Sequence, residues 1–109
     1  MVVVGGASGI GLAIAEAFSS EGCRVGIADK KQADGENNWQ VDICDYESLK
    51  DTAKSLRERF GRVDHAVCAA AIGSGKYGFP FWDLEPADWT KAVEINLLGA
   101  VNFAHAFTP

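Results

Sequence analysis

The segment Val2–Phe18, "VVVGGASGIGLAIAEAF", places a cluster of glycines between an all-valine run and an alanine-rich stretch of helical character. Gly5, Gly9 and Gly11 would leave the N-terminus of the following helix bare of side chains, so that its free N–H groups and its dipole face outward. One such glycine permits a sharp turn, one lets a pyrophosphate approach the backbone, and one lets helix and strand pack closely. The pattern predicts a phosphate site, and a tight turn alone is the alternative.

An acidic residue, Asp29, ends the next apolar run, "RVGIAD". At the tip of a second strand, a carboxylate accepts hydrogen bonds from both ribose hydroxyls of an adenosine and repels a 2′-phosphate, which favours NAD over NADP. Lys30 and Lys31 act in the opposite direction, because ammonium groups pair with a 2′-phosphate if Asp29 turns away. A solvated basic loop is the other interpretation of the two lysines. The glycine turn, the helix after it and Asp29 together predict a dinucleotide site.

The length and composition of the chain limit the classes of protein to which it can belong. The chain has 109 residues, a hydrophobic fraction of 48% and a formal net charge of −5. This length gives one domain with a modest core. The acidic balance argues against a nucleic-acid partner, because such proteins need a basic face to release counterions. No apolar run approaches the roughly 18 residues that span a bilayer, and no targeting segment is visible, so we expect a cytoplasmic protein without a membrane partner.

The cysteines and histidines do not predict a metal site. Cys23, Cys44 and Cys68 are odd in number, widely spaced and in apolar surroundings, with no Cys-x-x-Cys pair. We therefore expect them to be buried free thiols in a reducing compartment. His65 and His105 are isolated in the sequence, so they indicate no zinc cluster.

Apolar runs alternate with stretches of helical periodicity along the whole chain. Four runs predict strands, at Val2–Val4, Arg24–Asp29, Trp39–Asp42 and Asp64–Ala70. Helices are predicted from Ile10 to about Ser20, from the N-cap Asp45 to Phe60 before Gly61, and from Pro86 onward. The continuous apolar character of Asp64–Ala70 is typical of a strand covered on both sides. This alternation predicts an α/β fold of Rossmann type, a doubly wound parallel sheet.

Four motifs that fall in order along the chain resemble those of the short-chain dehydrogenase/reductase family. They are Gly-x-x-x-Gly-x-Gly in "GGASGIG", then "VDICD", "DHAVCAAAIG" and "DWTKAVEINLLGA". The resemblance implies that the cofactor-binding residues are Gly5, Ala7, Ser8, Gly9, Ile10, Gly11, Asp29, Asp42, Ile43, Ala69 and Ala70. Among these, Asp42 and Ile43 would line the adenine pocket. Asn96 stands at the family's catalytic asparagine, which helps to hold a water in the proton relay.

The sequence also departs from the family pattern. Residues 68–71, "CAAA", replace the usual Asn-Asn-Ala-Gly segment, which passes beside the cofactor, and Val4 stands where threonine is common. The family's catalytic serine and its Tyr-x-x-x-Lys pair lie beyond the asparagine helix, and the sequence ends before them. Tyr46 and Lys50 match that string, but they belong to the helix before the fourth strand. We expect the ring of Tyr46 to pack in the core.

The resemblance implies an oxidoreductase that transfers a hydride between NAD(P) and a small alcohol or ketone. Residues 1–109 would be the cofactor-binding portion of a single domain, truncated after the fourth strand and the following helix. Because the catalytic part is absent from them, we expect little turnover from this chain alone. The doubly wound order would leave the fourth strand at an edge of the sheet and the last helix with an uncovered apolar face, and both features predict a homo-oligomer. Two alternatives stay open: a non-catalytic NAD-binding module, and an S-adenosylmethionine-binding Rossmann domain, which the glycine spacing and the Asn96 helix disfavour.

Overall fold

The computed structural model describes residues 1–108. Its strands are β1 (Val2–Val4), β2 (Gly26–Asp29), β3 (Asn38–Gln40) and β4 (Ala66–Cys68). Its α-helices are α1 (Gly9–Ser20), α2 (Tyr46–Phe60), α3 (Pro86–Val93) and α4 (Gly99–Phe107). A 3₁₀ turn at Phe81–Asp83 precedes α3, and a π-helical turn at Glu94–Leu98 joins α3 to α4. Strands and helices therefore alternate as the periodicity of the sequence predicts.

The four strands form one parallel sheet in the order β3-β2-β1-β4. Val3 of β1 pairs with Ile27 of β2 on one side and with Val67 of β4 on the other. The chain moves outward from β1 to β3 and then returns to place β4 on the opposite side of β1. In such sheets the reversal of strand order opens a crevice at the carboxyl ends of the strands, here between β1 and β4. The predicted doubly wound α/β fold is confirmed.

The valines of β1 form the centre of the core. Val2, Val3 and Val4 are each at most 2% exposed. Val2 and Val4 belong to a cluster that includes Leu49 and Leu56 of α2. Val3 belongs to a second cluster, on the side of α1. Because successive side chains of a strand point to opposite faces, one uninterrupted valine run packs against helices on both sides of the sheet.

β4 differs from the predicted strand with both faces covered, because Ala66 and Cys68, on one face, are exposed. β4 is also the predicted edge strand, since among the described residues only β1 pairs with it. The predicted burial of the thiols is also wrong, because Cys23, Cys44 and Cys68 are all exposed, although they are free as expected. Cys68 ends this edge strand, and the other two lie in the connections after α1 and β3. Apolar sequence neighbours do not bury a residue that the fold places at a rim.

Helix α2 begins and ends at the predicted residues. The carboxylate of Asp45 accepts a hydrogen bond from the backbone N–H of Ser48 at 3.0 Å, and Gly61 follows the last turn. The predicted core position of Tyr46 is wrong, because this residue is 37% exposed. Tyr46 begins the helix at the rim of the core, where its ring meets His105 of α4 edge-on, with ring centroids 6.4 Å apart.

Three strands are shorter than, or displaced from, their predicted bounds. β1 comprises only three residues, and a parallel ladder extends no further than both of its strands run. Arg24 and Val25 therefore precede β2, and Asp42 follows β3 instead of ending it. The displacement leaves the carboxylates of Asp29 and Asp42 at the carboxyl edge of the sheet.

The helical segment from Pro86 to Phe107 is continuous but not uniform. Pro86 occupies the first turn, as predicted, and the π-helical turn interrupts the α-helical hydrogen bonds around Asn96. Leu97 and Val101 are 58% and 46% exposed, so this segment presents apolar side chains outward. None of the helices within residues 1–108 combines the length and the apolar character that crossing a membrane requires.

Candidate functional site

The glycine turn joins β1 to α1 with little room for side chains. A Cβ atom at Gly5 would lie 2.6 Å from the backbone nitrogen of Ala70, and the φ angle of Gly5 is +82°. A Cβ atom at Gly11 would collide with the carbonyl oxygen of Gly5. A side chain at either position would force the turn away from α1 or from the segment after β4. These two glycines therefore permit the close packing of β1, α1 and that segment.

Gly9 has a different environment, because it faces open space at the N-terminus of α1. Its φ angle is +55°, and a Cβ atom there would meet no heavy atom within 4 Å. Ser8 is the N-cap residue and makes no side-chain capping hydrogen bond, and within this fully described helix no acidic residue stands in the first turn. The first N–H groups of a helix have no intrahelical acceptor, and its dipole is positive at that end. An anion is the ligand that this arrangement favours.

Asp29 ends β2 with both carboxylate oxygens held by the backbone. Its Oδ2 accepts a hydrogen bond from the N–H of Ala7 at 3.0 Å, and its Oδ1 accepts one from the N–H of Lys31 at 2.9 Å. Ala7 belongs to the glycine turn, so the first bond joins the ends of β1 and β2. A carboxylate has about four lone-pair positions. Asp29 can therefore accept further hydrogen bonds from hydroxyl groups without giving up its backbone partners.

Lys30 and Asp42 form an ion pair between the ends of β2 and β3. The Nζ atom of Lys30 lies 3.4 Å from Oδ2 of Asp42. The other carboxylate oxygen, Oδ1, accepts a hydrogen bond from the backbone N–H of Cys44 at 2.9 Å. The Cys44 hydrogen bond and then Lys30 lower the pKa of the Asp42 carboxyl below its ordinary value of 3.8, against the opposing effect of burial. Burial and the negative charge of Asp42 raise the pKa of the Cys44 thiol.

The residues that follow β4 form a wall of small side chains. The N–H of Ala69 donates a hydrogen bond to the carbonyl of Val4 at 2.8 Å, which continues the pairing of β4 with β1. Ala70 then approaches the glycine turn at Gly5. The methyl side chains of this segment leave the backbone as its main source of hydrogen-bonding groups.

Asn96 lies in the π-helical turn and makes two hydrogen bonds to the backbone of one residue. Its Oδ1 accepts from the N–H of Ile72 at 2.8 Å, and its Nδ2 donates to the carbonyl of Ile72 at 2.6 Å. The two bonds connect the segment between α3 and α4 to the loop after β4. Both polar atoms of the side-chain amide are engaged, so Asn96 positions Ile72.

These groups surround one cleft of about 450 Å³. Nine of the eleven residues expected to bind the cofactor line it: Gly5, Ser8, Gly9, Ile10, Asp29, Asp42, Ile43, Ala69 and Ala70. The other two lie behind this lining, where Ala7 donates its hydrogen bond to Asp29 and Gly11 packs beneath Gly5. The structure therefore brings the predicted residues together from four separate parts of the sequence.

Six further residues line the cleft and are not assigned to it by the sequence: Val4, Lys30, Val41, Ala71, Ile72 and Ile95. Five of them adjoin a predicted site residue in the chain, Ile95 by preceding Asn96, and that adjacency is the signal that identifies them. Ile72 is less obvious. Ile72 enters the site through its two hydrogen bonds with Asn96, a contact across 24 residues that the sequence does not reveal.

A second hollow, of about 490 Å³, lies apart from the cleft and is lined by Phe81, Leu84, Pro86 and Trp89. The ring of Trp89 is tilted against that of Phe81, with centroids 6.3 Å apart. All four lining side chains are apolar. A ligand site combines apolar walls with a few polar groups that fix orientation, and of these two hollows it is the cleft around Asp29 that has the combination.

Known proteins are similar in sequence to this chain over nearly its whole length. A family model described as "Enoyl-(Acyl carrier protein) reductase" matches residues 5–109. The 3-hydroxyacyl-CoA dehydrogenase type-2 of Bos taurus is 34% identical over 114 aligned residues, which cover 93% of this chain and 44% of that protein. The "Short-chain dehydrogenase/reductase ABA4" of Pyricularia oryzae is 32% identical over 114 aligned residues, with 91% of this chain and 42% of that protein covered.

A solved structure shares the fold as well. The crystal structure of a 3-ketoacyl-ACP reductase from Sinorhizobium meliloti 1021 superposes with a TM-score of 0.84 at 27% identity and covers 100% of this chain and 48% of that one. The chain thus spans less than half the length of each of these relatives. The family resemblance of the sequence motifs is confirmed, and the chain belongs to the short-chain dehydrogenase/reductase family of oxidoreductases.

Proposed function

We propose that residues 1–109 form the cofactor-binding portion of a short-chain dehydrogenase/reductase domain and that the cleft binds NAD. One observation carries the proposal: the carboxylate of Asp29 is hydrogen-bonded to Ala7 of the glycine turn at 3.0 Å. This contact fixes an acceptor for ribose hydroxyls beside a helix N-terminus that favours a phosphate anion. A dinucleotide carries both of those groups at a short separation.

The residues of the cleft fit such a ligand. Gly9 contributes backbone without a side chain where the pyrophosphate would approach, since a Cβ atom would project into open space there. Asp42 and Ile43 stand on the adenine side, and the methyl groups of Ala69 and Ala70 line the wall after β4. When bound, a nicotinamide dinucleotide supplies the hydride acceptor or donor. The protein's own contribution in these residues is to bind, orient and enclose it.

NAD is favoured over NADP by the fixed charge of Asp29. Both of its oxygens are anchored by backbone N–H groups, so the side chain would lose two hydrogen bonds if it rotated away from a 2′-phosphate. Each such bond to a charged group contributes about 1.5–3 kcal/mol. The negative charge therefore stays beside the ribose and repels the additional phosphate.

We further propose that the whole protein transfers a hydride between NAD and a small alcohol or ketone, and that this chain alone gives little turnover. Such a reaction needs a general acid and base near the reacting carbon. Tyr46 and Lys50 do not fill that role, because neither lines the cleft. Tyr46 lines a separate hollow with Asn102 and His105, and Lys50 pairs with Glu47 at 2.8 Å. Asn96 would act in this reaction indirectly, by positioning Ile72 at the cleft.

A cytoplasmic location and assembly with further copies of the chain complete the proposal. Three exposed free thiols suit a reducing compartment. The apolar side chains of Val93, Leu97, Leu98 and Val101 are between 44% and 58% exposed and offer a surface for self-association.

The test of the proposed function is calorimetric titration of the 109-residue chain with NAD, NADP and S-adenosylmethionine at one ionic strength. Circular dichroism of the same sample establishes that the chain is folded. Saturable binding of NAD, weaker binding of NADP and no binding of S-adenosylmethionine are expected. A folded chain that binds S-adenosylmethionine alone, or binds none of the three ligands, contradicts the proposal.

A further inference from the structure

The ion pair of Lys30 and Asp42 lies at the same corner of the cleft as Asp29. Lys30 directly follows Asp29 in the chain, and all three residues line the cleft. A lysine in this position would attract the 2′-phosphate of NADP and so oppose the selectivity that Asp29 provides. The structure shows instead that its ammonium group contacts a carboxylate of the neighbouring strand end, 3.4 Å away.

The inference rests on the proposed function, the binding of NAD in this cleft. We propose that Asp42 helps to set the preference for NAD over NADP by neutralising and restraining the ammonium group of Lys30. Asp42 is thereby a specificity-determining residue that acts through Lys30, in addition to its place on the adenine side of the cleft.

Asp42 is well placed for this role because each of its oxygens has a separate partner. Oδ1 accepts from the backbone N–H of Cys44 at 2.9 Å, which fixes the carboxylate in the turn after β3. Oδ2 then faces Lys30. The main chain of Lys30 is held as well, since its carbonyl accepts a hydrogen bond from Nε2 of Gln40 at 3.3 Å. Both members of the pair are therefore fixed at the ends of adjacent strands.

The charges at this corner balance when the pair is intact. Asp29 and Asp42 contribute two negative charges, and Lys30 and Lys31 contribute two positive ones. Without the charge of Asp42, the corner has one surplus positive charge and Lys30 is released. A 2′-phosphate would then find a mobile ammonium group within the cleft, where in the intact protein it must compete with Asp42 for that group.

The size of the effect follows from the exposure of the pair. The side chains of Lys30 and Asp42 are 73% and 42% exposed, and exposed ion pairs are weak. We therefore expect Asp42 to change the ratio of NADP to NAD affinity by about threefold to fivefold.

Asp42→Asn is the decisive variant, because asparagine keeps an oxygen that accepts from Cys44 and removes only the charge that faces Lys30. The dissociation constants of NAD and NADP are measured by calorimetry for this variant, for Lys30→Met and for the double variant. Any loss of adenine contact at Asp42 affects both dinucleotides alike, so we expect Asp42→Asn to raise the ratio of NADP to NAD affinity by about threefold to fivefold. In the Lys30→Met background this rise is expected to disappear.

Lys31→Met is the matched control, since Lys31 is the neighbouring exposed lysine and is not paired with Asp42. The rise from Asp42→Asn should persist in this background. An equal rise of the ratio in the Lys30→Met background, a rise that depends on Lys31, or an unchanged ratio of NADP to NAD affinity in Asp42→Asn would each overturn the proposal.

A second measurement tests the pair without any cofactor. The pKa of the Asp42 carboxyl, followed by NMR in the free chain, is expected to rise in Lys30→Met and to stay unchanged in Lys31→Met. An unchanged pKa in Lys30→Met overturns the proposal even when NAD binds. If instead the pKa rises but wild type binds neither dinucleotide, the proposed function fails and the specificity role falls with it, while the ion pair itself stands.

Discussion

Oδ2 of Asp29 accepts a hydrogen bond from the backbone N–H of Ala7 at 3.0 Å, across 22 residues of the chain. The bond joins the acidic end of β2 to the turn that opens α1. The group that would receive the ribose and the helix end that would receive the pyrophosphate are therefore fixed relative to one another before a ligand arrives. Such preorganisation reduces the conformational entropy that the protein loses when a ligand binds.

Asp29→Ala is expected to weaken NAD binding by about tenfold or more, because the ribose loses a charged acceptor. The same variant is expected to discriminate less against NADP, since the repulsion of the 2′-phosphate is removed. Calorimetric titration with both dinucleotides measures the two effects. Asp34→Ala, at an exposed acidic residue of the loop after β2, is the control and should bind as wild type does. Unchanged affinity and preference in folded Asp29→Ala would refute Asp29 as the ribose ligand.

Gly9→Val is expected to abolish NAD binding, because the new side chain would occupy the open space at the N-terminus of α1. Gly22→Val is the matched control: Gly22 also has a positive φ, +86°, and its Cβ would also meet no heavy atom within 4 Å. Both variants strain the backbone by a similar amount, about 1–2 kcal/mol, so thermal denaturation should show similar losses of stability. Only Gly9→Val should lose NAD in calorimetry. Retained NAD affinity in folded Gly9→Val would remove the phosphate-site assignment.

The glycine turn and Asp29 were predictable from the sequence because the signals are local. A buried valine run, glycines at a fixed spacing and an acidic residue at the end of the next strand follow one another within 29 residues. In a parallel sheet, a strand, a turn and a helix in this order place their polar groups at one edge. The residues around Asp42 and Ala69 followed from family motifs, and the structure brings them to the same cleft.

The contacts that the sequence did not predict depend on how distant segments meet. The ion pair of Lys30 and Asp42 requires the register of β2 against β3. The bonds of Asn96 to Ile72 require the crossing of the π-helical turn over the loop after β4. Neither residue type nor periodicity encodes these relationships.

Asn96→Ala is expected to destabilise the fold by about 1–2 kcal/mol, because it removes two hydrogen bonds to the backbone of Ile72. Hydrogen exchange at the Ile72 amide should accelerate in this variant. Asn102→Ala, in α4, is the matched control, since the Asn102 amide donates to the carbonyl of Ile43 at 3.1 Å and does not contact Ile72. It should leave exchange at Ile72 unchanged. Exchange at Ile72 that stays slow in Asn96→Ala would show that the loop is held by other contacts.

Asn96→Asp gives the same interaction a pH dependence. The aspartate keeps an oxygen for the N–H of Ile72 but places a second oxygen, in place of the amide donor, against the Ile72 carbonyl. The ionised variant should therefore be less stable than wild type, and the difference should narrow below about pH 4 as the carboxyl becomes protonated and donates again. Thermal denaturation between pH 7 and pH 3 measures the difference. A difference in stability between wild type and Asn96→Asp that does not narrow with falling pH would argue against the hydrogen bond from residue 96 to the Ile72 carbonyl.

Acid should remove a stabilising contribution of Asp42. Its folded-state pKa lies below 3.8, first because of the Cys44 hydrogen bond and then because of Lys30. A depressed carboxyl pKa stabilises the fold above the unfolded pKa, and this contribution is lost as the pH falls through the folded pKa. Wild type should melt about 1–4 °C above Asp42→Asn near pH 7, and the difference in melting temperature should narrow as the pH falls below 3.8 and through the folded-state pKa. Asp51→Asn, at an exposed residue of α2, is the control. A difference in melting temperature between wild type and Asp42→Asn that stays constant as the pH is lowered would contradict the expected linkage.

The thiol of Cys44 is expected to react more slowly at neutral pH in the native state than in the unfolded chain. Its pKa is raised first by burial around the sulfur and then by the negative charge of Asp42, with a smaller effect of Glu94. Because the thiolate is the nucleophile, a raised pKa lowers the reactive fraction.

Variants that each retain one cysteine are treated with an aromatic disulfide reagent across a pH series, in the native state and in urea. The native rate of Cys44 should reach half its maximum above the ordinary pKa of 9.0, and at a lower pH in urea. Asp42→Asn should accelerate native Cys44 at pH 7.5, because one of the charges that disfavour its thiolate is gone. If Cys44 reacts faster in the native state than in urea at neutral pH, or ignores the loss of the Asp42 charge, its environment is not the one described for the turn after β3.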